Sequence, residues 1–384
     1  MAKPKKFKDP KKKTRKEALK SKKKRDKPCI RINFPISPEQ PDSSCTSVSS
    51  CNTVSESFSV LTNFENQTDY DEDFEHSKDL HRKICQEHQK TWYASIKKRK
   101  FITTDLKDYA ALLGKGELCA DHMPASDLKL RNKMGGFLID EMAHLFELGD
   151  ADPDLDFQWI SIVADKYMFN ERGGTAEIYK CKQAAQAVLR NHTELHCIGV
   201  IETQPIINYP ENQEGKMFSV HAHVFCWGPT KQTAKLKRHA KRFKSSITKL
   251  PIHSSRVYHA EGSFGRLGRY MVKPPYEGKE VDHTKLGLGE ACLRTARRVE
   301  KFHHLRLFEL NAKAPMESLI FGVREGVDVR KRIVKRMKDW QKTRKGEEVK
   351  LGHRVDDLFE DFLKDNSKRL KNYKPLKVKF RKDQ

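Results

Sequence analysis

The chain has 384 residues, and 76 Lys and Arg against 52 Asp and Glu give it a formal net charge of +24. Net charge bears on partners, so this excess indicates a polyanion, with nucleic acid first and an anionic membrane surface second. No apolar run reaches membrane-spanning length, no secretory signal peptide is recognisable, and the nine cysteines form no CxxC pair. We therefore expect a soluble intracellular protein without disulfides or a structural zinc site.

Residues 1–75 are predicted to be a disordered basic tail followed by a linker. Residues 1–27 contain fifteen Lys or Arg against three Asp or Glu, and charge of one sign at this density repels itself and buries no core. The tail either contacts phosphates, or carries a localisation signal, or only keeps the protein in solution. From Pro35 to about Asp73, Ser, Thr, Asn and acidic residues are typical of a flexible linker.

Residues 76–152 are predicted to form a helical accessory domain. The segments "LHRKICQEHQKTWYASIKKRK" and "MGGFLIDEMAHLFELG" have helical periodicity, and Gly149 suits the end of the second helix. Residues 281–384 are predicted to form a helical, basic C-terminal region, with one helix around 289–310 and another in "DVRKRIVKRMKDWQKTRK".

Residues 153–280 alternate between strand and helix patterns in the order β-α-β-β-α-β-α. The predicted strands are 157–167, 195–203, 217–227 and 252–260, and the predicted helices are 175–192, 230–247 and 263–273. Because a hairpin links the two middle strands, we expect an α+β fold with a central, largely antiparallel sheet and flanking helices.

Two histidines lie one residue apart in the predicted strand "SVHAHVFCWG" (219–228). Side chains of a strand alternate between its faces, so His221 and His223 share one face with Phe225 and Trp227. Both faces are largely apolar, which indicates an interior strand, and two adjacent imidazoles have the geometry of a metal-ligand pair. The alternative is a pair of core histidines satisfied by hydrogen bonds.

A third metal ligand is expected from a neighbouring strand. Glu202 ends the apolar segment "CIGVIETQP", and the following loop returns the chain beside it as an antiparallel partner. A carboxylate in such a place is costly unless it is paired or binds a cation. The alternative is a strand-end glutamate that reaches water. Two imidazoles and one carboxylate would leave open positions on an ion, as a Lewis-acid site requires.

The segment "RLGRYMVKPP" places Tyr270 and Lys273 three residues apart. Residues i and i+3 are neighbours on a helix face, so the phenol and the ammonium can reach the same place. Tyrosine can act as a covalent nucleophile, and a nearby cation can hold the phosphate that it attacks. Pro274 disfavours α conformation at Lys273, and Tyr276 is a rival nucleophile if the helix register differs.

In this order, "VIET", "HAH" and "YMVK" resemble the motifs of the HUH endonucleases, the single-strand nicking enzymes of rolling-circle replication initiators and some transposases. The resemblance extends from "FQWISIVAD" to "YMVKPP" and is best to single-tyrosine Rep proteins. It implies an HUH/RRM-like sheet and a divalent metal, Mg²⁺ or Mn²⁺, bound by His221, His223 and Glu202. Tyr270 would attack the scissile phosphate, and Lys273 would help to position it.

The basic residues agree with a single-stranded DNA substrate, because such grooves combine cations with aromatic platforms. The segment "TKQTAKLKRHAKRFK" contains no acidic residue, whereas an ordinary solvated helix face, the alternative, usually carries both signs. The candidate DNA-binding residues are Lys235, Arg238, Arg242, Arg266 and Arg269. A departure from the family is Ser161, on the strand whose first motif usually carries threonines.

The resemblance implies a replication initiator that nicks a single-stranded origin of a plasmid or phage in the bacterial cytoplasm. Tyrosine would form a 5′-phosphotyrosine, leave a 3′-hydroxyl primer and later rejoin the strands. The sequence has no GxxxxGK[ST] loop, so a helicase of the host would have to unwind the duplex. The host polymerase would extend the primer, and we expect no membrane partner. The alternatives are a transposase of the same chemistry, a noncatalytic basic nucleic-acid-binding protein, and a phosphodiesterase that uses water.

Overall fold

The structure is a computed structural model. The described residues are 73–100, 102–115, 123–207, 209, 217–229, 232–248, 250–275, 278–284, 293–295, 301–344 and 355–378. The predicted basic tail, nearly all of the linker and the rival nucleophile Tyr276 lie outside these residues.

A largely antiparallel sheet lies at the centre of the molecule. Its strands and a separate small pair are β1 (Leu155–Val163), β2 (Phe169–Asn170), β3 (Thr175–Ala176), β4 (His196–Ile207), β5 (Met217–Pro229), β6 (Ile252–Arg256), β7 (Lys279–Val281), β8 (Leu293–Thr295), β9 (Ile320–Val323) and β10 (Lys377–Val378). The sheet has the order β6-β1-β5-β4-β7-β8, with β2 paired to β5 and β9 paired to β4. Among the described pairings of this sheet, β4–β7 is the one parallel pair, and β3 and β10 form a separate parallel pair.

Helices flank this sheet, so the predicted α+β class is confirmed. They are α1 (Phe74–Lys97), α2 (Thr104–Lys115), α3 (Leu128–Ala151), α4 (Ile178–His192), α5 (Thr233–Lys237), α6 (Glu261–Met271), α7 (Lys301–Lys313), α8 (Met316–Leu319), α9 (Gly326–Thr343) and α10 (Val355–Asp365). Aspartate side chains cap two long helices: Asp73 accepts from the amide of His76 at the start of α1, and Asp127 accepts from the first amides of α3. No helix in the described ranges has the length and apolarity needed to cross a membrane.

The interior position of β5 follows from its sequence. Every residue from Phe218 to Gly228 is buried, because β1 and β4 pair with its two edges and helices cover the sheet. A strand covered on both faces reads as a nearly continuous apolar run. The two histidines, with Ser219, are therefore the polar exceptions in an otherwise apolar strand.

One hydrophobic core joins the predicted accessory, central and C-terminal regions. The Trp92 ring of α1 packs edge-on against Phe308 of α7, with 4.9 Å between the ring centroids. Phe264 of α6 packs in the same way against Phe157 of β1 at 4.9 Å. The helices of residues 74–151 thus share their packing with the sheet.

The prediction of a long basic helix over 230–247 is wrong. The helix α5 has five residues, and a separate 3₁₀ turn follows at Ala240–Arg242. Basic residues four apart, such as Arg238 and Arg242, repel each other and no acidic residue offsets them. Instead, the buried side chains of Leu236 and Phe243 anchor the segment to the core.

Other predicted elements also differ from the structure. The strand predicted over 252–260 ends at Arg256, and the helix predicted over 175–192 begins at Ile178. The strand predicted over 157–167 ends at Val163 and gives way to a 3₁₀ turn at Asp165–Tyr167, where the Asp165 carboxylate accepts from the amide of Ser246. Within the segment predicted as a helix over 289–310, Leu293–Thr295 form strand β8, and α7 comprises Lys301–Lys313.

Candidate metal and nucleophile site

Glu202, His221 and His223 converge on one point of the sheet. In the β4–β5 pairing, Glu202 lies opposite His221, which brings all three side chains to one face. His223 Nε2 lies 3.0 Å from both His221 Nε2 and Glu202 Oε2, and His221 Nε2 lies 3.3 Å from the same oxygen. The side chains of the two histidines are 8% exposed and that of Glu202 is 10% exposed, so the group is nearly closed to solvent.

Two residues of β1 hold the His223 ring in place. Ser161 is the register partner of His223, and its Oγ lies 3.1 Å from the ring Nδ1. Trp159 stacks on the other side of the imidazole, with 5.4 Å between centroids. A hydrogen-bond partner on Nδ1 fixes the orientation of the ring, so that Nε2 faces Glu202 and His221. Metal-binding histidines are commonly oriented in this way by a hydrogen bond to their other ring nitrogen. Sequence reasoning assigned no role to Trp159, although its alternation with Ser161 along β1 places both side chains on this face.

The protonation states of Glu202 and His223 favour the binding of a cation at neutral pH. Burial opposes the charge on Glu202, but the Lys273 ammonium and hydrogen bonds from both histidines hold the pKa of its carboxyl well below the ordinary value. Burial lowers the pKa of His223 to about 4, although Glu202 acts in the opposite direction. The carboxylate is thus ionised and this imidazole is neutral, which are the forms that bind metals.

The donor set fits a divalent metal ion. One ligand atom from each residue lies within 4.8 Å of the others, and this is the one such group of His, Cys, Asp and Glu among the described residues. Two imidazoles and a carboxylate suit Mn²⁺ and similar ions better than Mg²⁺, which prefers an all-oxygen shell. The group can therefore hold a metal, and its chemistry does not fix which one.

Tyr270 lies beside this group. Its ring centroid is 5.1 Å from that of His223 and 5.8 Å from that of Trp159, both in edge-on contacts. The side chain is half-buried and lines an open cleft, so the phenol is not closed off from solvent. The predicted imidazoles and phenol, about fifty residues apart in the chain, are neighbours.

Lys273 lies near both Tyr270 and Glu202, but not on the expected helix. The helix α6 ends at Met271, two residues before Lys273, in keeping with the effect of Pro274 on the preceding residue. The Lys273 Nζ nevertheless lies 4.2 Å from the Tyr270 ring centroid. Lys273 and Glu202 also line the same small internal cavity.

Two glycines allow α6 to lie close against α1 and α3. A β-carbon at Gly265 would come within 2.3 Å of Ser77 Oγ, and one at Gly268 would come within 3.1 Å of Met142 Cγ. The sequence alone suggested that these glycines weaken the helix. The structure gives them a packing function, because larger side chains would push the tyrosine helix away from its neighbours.

The buried Arg131 of α3 fixes the turn that follows α6. Its guanidinium donates to the carbonyls of Val272 and Lys273 at 3.4 and 3.2 Å, and to Asn311 Oδ1 of α7 at 3.3 Å. It also donates to the carbonyl of Ala125 at 3.0 Å. Sequence reasoning missed this residue because its partners lie up to 180 positions away.

The candidate DNA-binding residues fall into two places. Arg266 is exposed and lines the same open cleft as Tyr270. Arg269 is half-buried and lies close enough to His81 of α1 for its charge to help lower the pKa of that histidine. Lys235, Arg238 and Arg242 are exposed on the short segment around α5, which packs against α4 and β6. Among these five residues, only Arg266 therefore lines the same cleft as Tyr270, the candidate nucleophile.

No protein family, curated protein or solved structure matches the chain.

Proposed function

We propose that the chain is a metal-assisted nickase and strand transferase of single-stranded DNA that initiates rolling-circle replication of a plasmid or phage. The observation that carries this proposal is the position of Tyr270, whose ring lies 5.1 Å from His223 within the Glu202, His221 and His223 group. The order of the motifs, similar to that of single-tyrosine HUH endonucleases, supports the same chemistry.

The residues of the chain divide the reaction between them. The Tyr270 Oη–P bond forms as the P–O3′ bond breaks; the phenolic proton passes to solvent water in the open cleft, and the departing 3′ oxygen takes up a proton from solvent. The products are a 5′-phosphotyrosine and a 3′-hydroxyl primer, and attack by a 3′-hydroxyl in the reverse direction rejoins the strands. Lys273 offsets the negative charge of the phosphate. A metal held by Glu202, His221 and His223 would supply Lewis-acid polarisation of the phosphate oxygens.

A covalent-adduct assay tests the proposal. The protein is incubated with Mn²⁺ or Mg²⁺ and labelled single-stranded origin DNA, and the adduct is detected by its shift in denaturing gel electrophoresis. We expect metal-dependent adduct that disappears in Tyr270→Phe and persists in Tyr276→Phe, the matched change at the rival position. Folding of both variants is checked by circular dichroism.

The other outcomes identify the competing functions. Cleavage without a covalent adduct, in the wild type and in both variants, would indicate a phosphodiesterase that uses water. Binding without cleavage at any metal concentration would leave a noncatalytic basic nucleic-acid-binding protein. A transposase of the same chemistry would join the cleaved end to an unrelated target strand, whereas an initiator rejoins origin strands.

A further inference from the structure

An open cleft lies beside Tyr270, on the side formed by β1, α6 and the segment after β6. Its lining residues are Trp159, Ser255, Arg256, Val257, Tyr258, Ser263, Arg266, Leu267 and Tyr270. Its volume of about 280 Å³ lies near the lower end of the range of sites that hold small organic groups. The cleft shares Tyr270 and Trp159 with the candidate metal site, so the two are continuous.

Tyr258 is the most exposed large hydrophobic residue among those described, at 73%. The backbone on both sides of it is anchored. The amide of Val257 donates to the carbonyl of Phe157 at 2.9 Å, and the His259 ring stacks on Phe146 with 4.2 Å between centroids. An aromatic ring is thus held out from a fixed backbone at the edge of the cleft.

The charges around the cleft select an anionic strand. Arg266 is exposed and forms no ion pair with any residue in the described ranges. Arg256, whose side chain is 80% exposed, is paired through Nε with Asp156 at 3.1 Å, and Glu261 is the acidic residue in the first turn of α6. Arg266 is therefore the cleft cation that has no carboxylate partner among the described residues and is available to a phosphate.

We infer that this cleft binds an unpaired nucleotide next to the scissile phosphate, with its base stacked on Tyr258 and a phosphate contacted by Arg266. An exposed aromatic platform beside a cation matches single-stranded nucleic acid, because every base offers a π-face to an aromatic ring. A duplex keeps its bases stacked on one another and offers no such face. The inference rests on the proposed function for the identity of the substrate, and it adds a path for the strand that no motif indicated.

Binding is measured by fluorescence anisotropy with labelled oligothymidylate, without metal, so that cleavage plays no part. We expect Tyr258→Ala to weaken binding about fivefold or more, and Tyr258→Phe, which keeps the ring, to bind like the wild type. An abasic oligonucleotide of the same length isolates the base. The wild type should prefer oligothymidylate over it, and Tyr258→Ala should lose that preference.

Arg266→Gln is expected to act through the phosphate. It should lower the slope of log affinity against log salt by about 0.7, whereas Tyr258→Ala should leave the slope unchanged. Lys335→Gln, an equal charge change at an exposed position of α9, is the matched control and should leave the affinity unchanged within about twofold.

The cleft and the catalytic proposal can fail separately. Unchanged oligothymidylate binding in Tyr258→Ala overturns the cleft even if Tyr270 forms the adduct. Equal weakening for duplex DNA and for the abasic strand also overturns it, because the base would then have no part. If the wild type forms no adduct but Tyr258→Ala still weakens oligothymidylate binding, the proposed nuclease activity is overturned and the nucleotide-binding cleft stands.

Discussion

The two halves of the proposed catalytic centre are held in different ways. Glu202, His221 and His223 lie on two neighbouring strands, and the register of one hairpin fixes all three. Tyr270 lies on a helix that is positioned by α1 and α3, more than a hundred residues earlier in the chain. The metal half is thus a property of local pairing, and the nucleophile half is a property of distant packing. Perturbing the helices should therefore separate the two.

Acid should destabilise the helices that support the nucleophile half most strongly. Burial lowers the pKa of His81, His88 and His304 to about 4. Since unfolded histidine titrates near 6.5, the unfolded state binds more protons between these values, and stability falls as the pH drops through this range. Each histidine should remove about 2 kcal/mol of unfolding free energy between pH 7 and pH 5. His223 adds to the same trend.

Urea titrations at the two pH values measure this effect. His88→Gln should reduce the pH dependence, while His144→Gln, at a position where the side chain is 68% exposed, should not. An unfolding free energy equal at both pH values would contradict the assignment of neutral buried histidines.

Arg131→Met should come next in size. It leaves the buried carbonyls of Ala125, Val272 and Lys273 without their donor, so we expect a loss of about 3 kcal/mol in unfolding free energy. Calorimetry should show nearly unchanged Mn²⁺ affinity, while adduct formation falls sharply because the turn after α6 moves. Lys335→Met is the exposed control. Metal binding lost in proportion to the adduct would show that the two halves are not separable.

Gly265→Ala tests the seat of α6 directly. The added methyl overlaps Ser77, and we expect a loss of about 2 kcal/mol in chemical denaturation. Ser77→Gly in the same chain removes the overlapping atoms and should recover much of the loss. Gly136→Ala is a matched change on α3, where nothing lies within 4 Å, and it should stabilise the protein slightly. Equal effects at both glycines would refute the close-packing account.

Ser161→Ala should have the smallest effect and should act on the metal half. Loss of the hydroxyl partner of His223 Nδ1 is expected to weaken Mn²⁺ binding about tenfold in calorimetry. The control is Ser219→Ala on β5, whose buried hydroxyl has no hydrogen-bond partner among the described residues. If both variants bind Mn²⁺ like the wild type, Ser161 does not orient the ring.

The metal half was predictable because a strand has a period of two residues. The alternation in "HAH" places both imidazoles on one face, and an antiparallel return brings Glu202 opposite them. The α+β class followed from the same patterns. Short-range periodicity carried these inferences, and tertiary packing did not override it.

The nucleophile half was predictable only in its residue types. Tyr270 and Lys273 could be named, but Lys273 reaches its place beyond the end of α6, and Arg131 fixes the turn from another layer. The failed basic helix has a similar cause. Its composition favoured helix, while burial of Leu236 and Phe243 and repulsion among its charges determined the actual path.

The close seat of α6 bears on how the protein can be dissected. A fragment of residues 153–280 would retain the three candidate metal ligands and Tyr270, and by its motifs it would look complete. It would also lay bare the glycine-lined side of α6 that α1 and α3 cover, together with the unsatisfied carbonyls that Arg131 serves. The smallest fragment that keeps Tyr270 in place must therefore include the helices that pack against α6, not only the residues of the motifs.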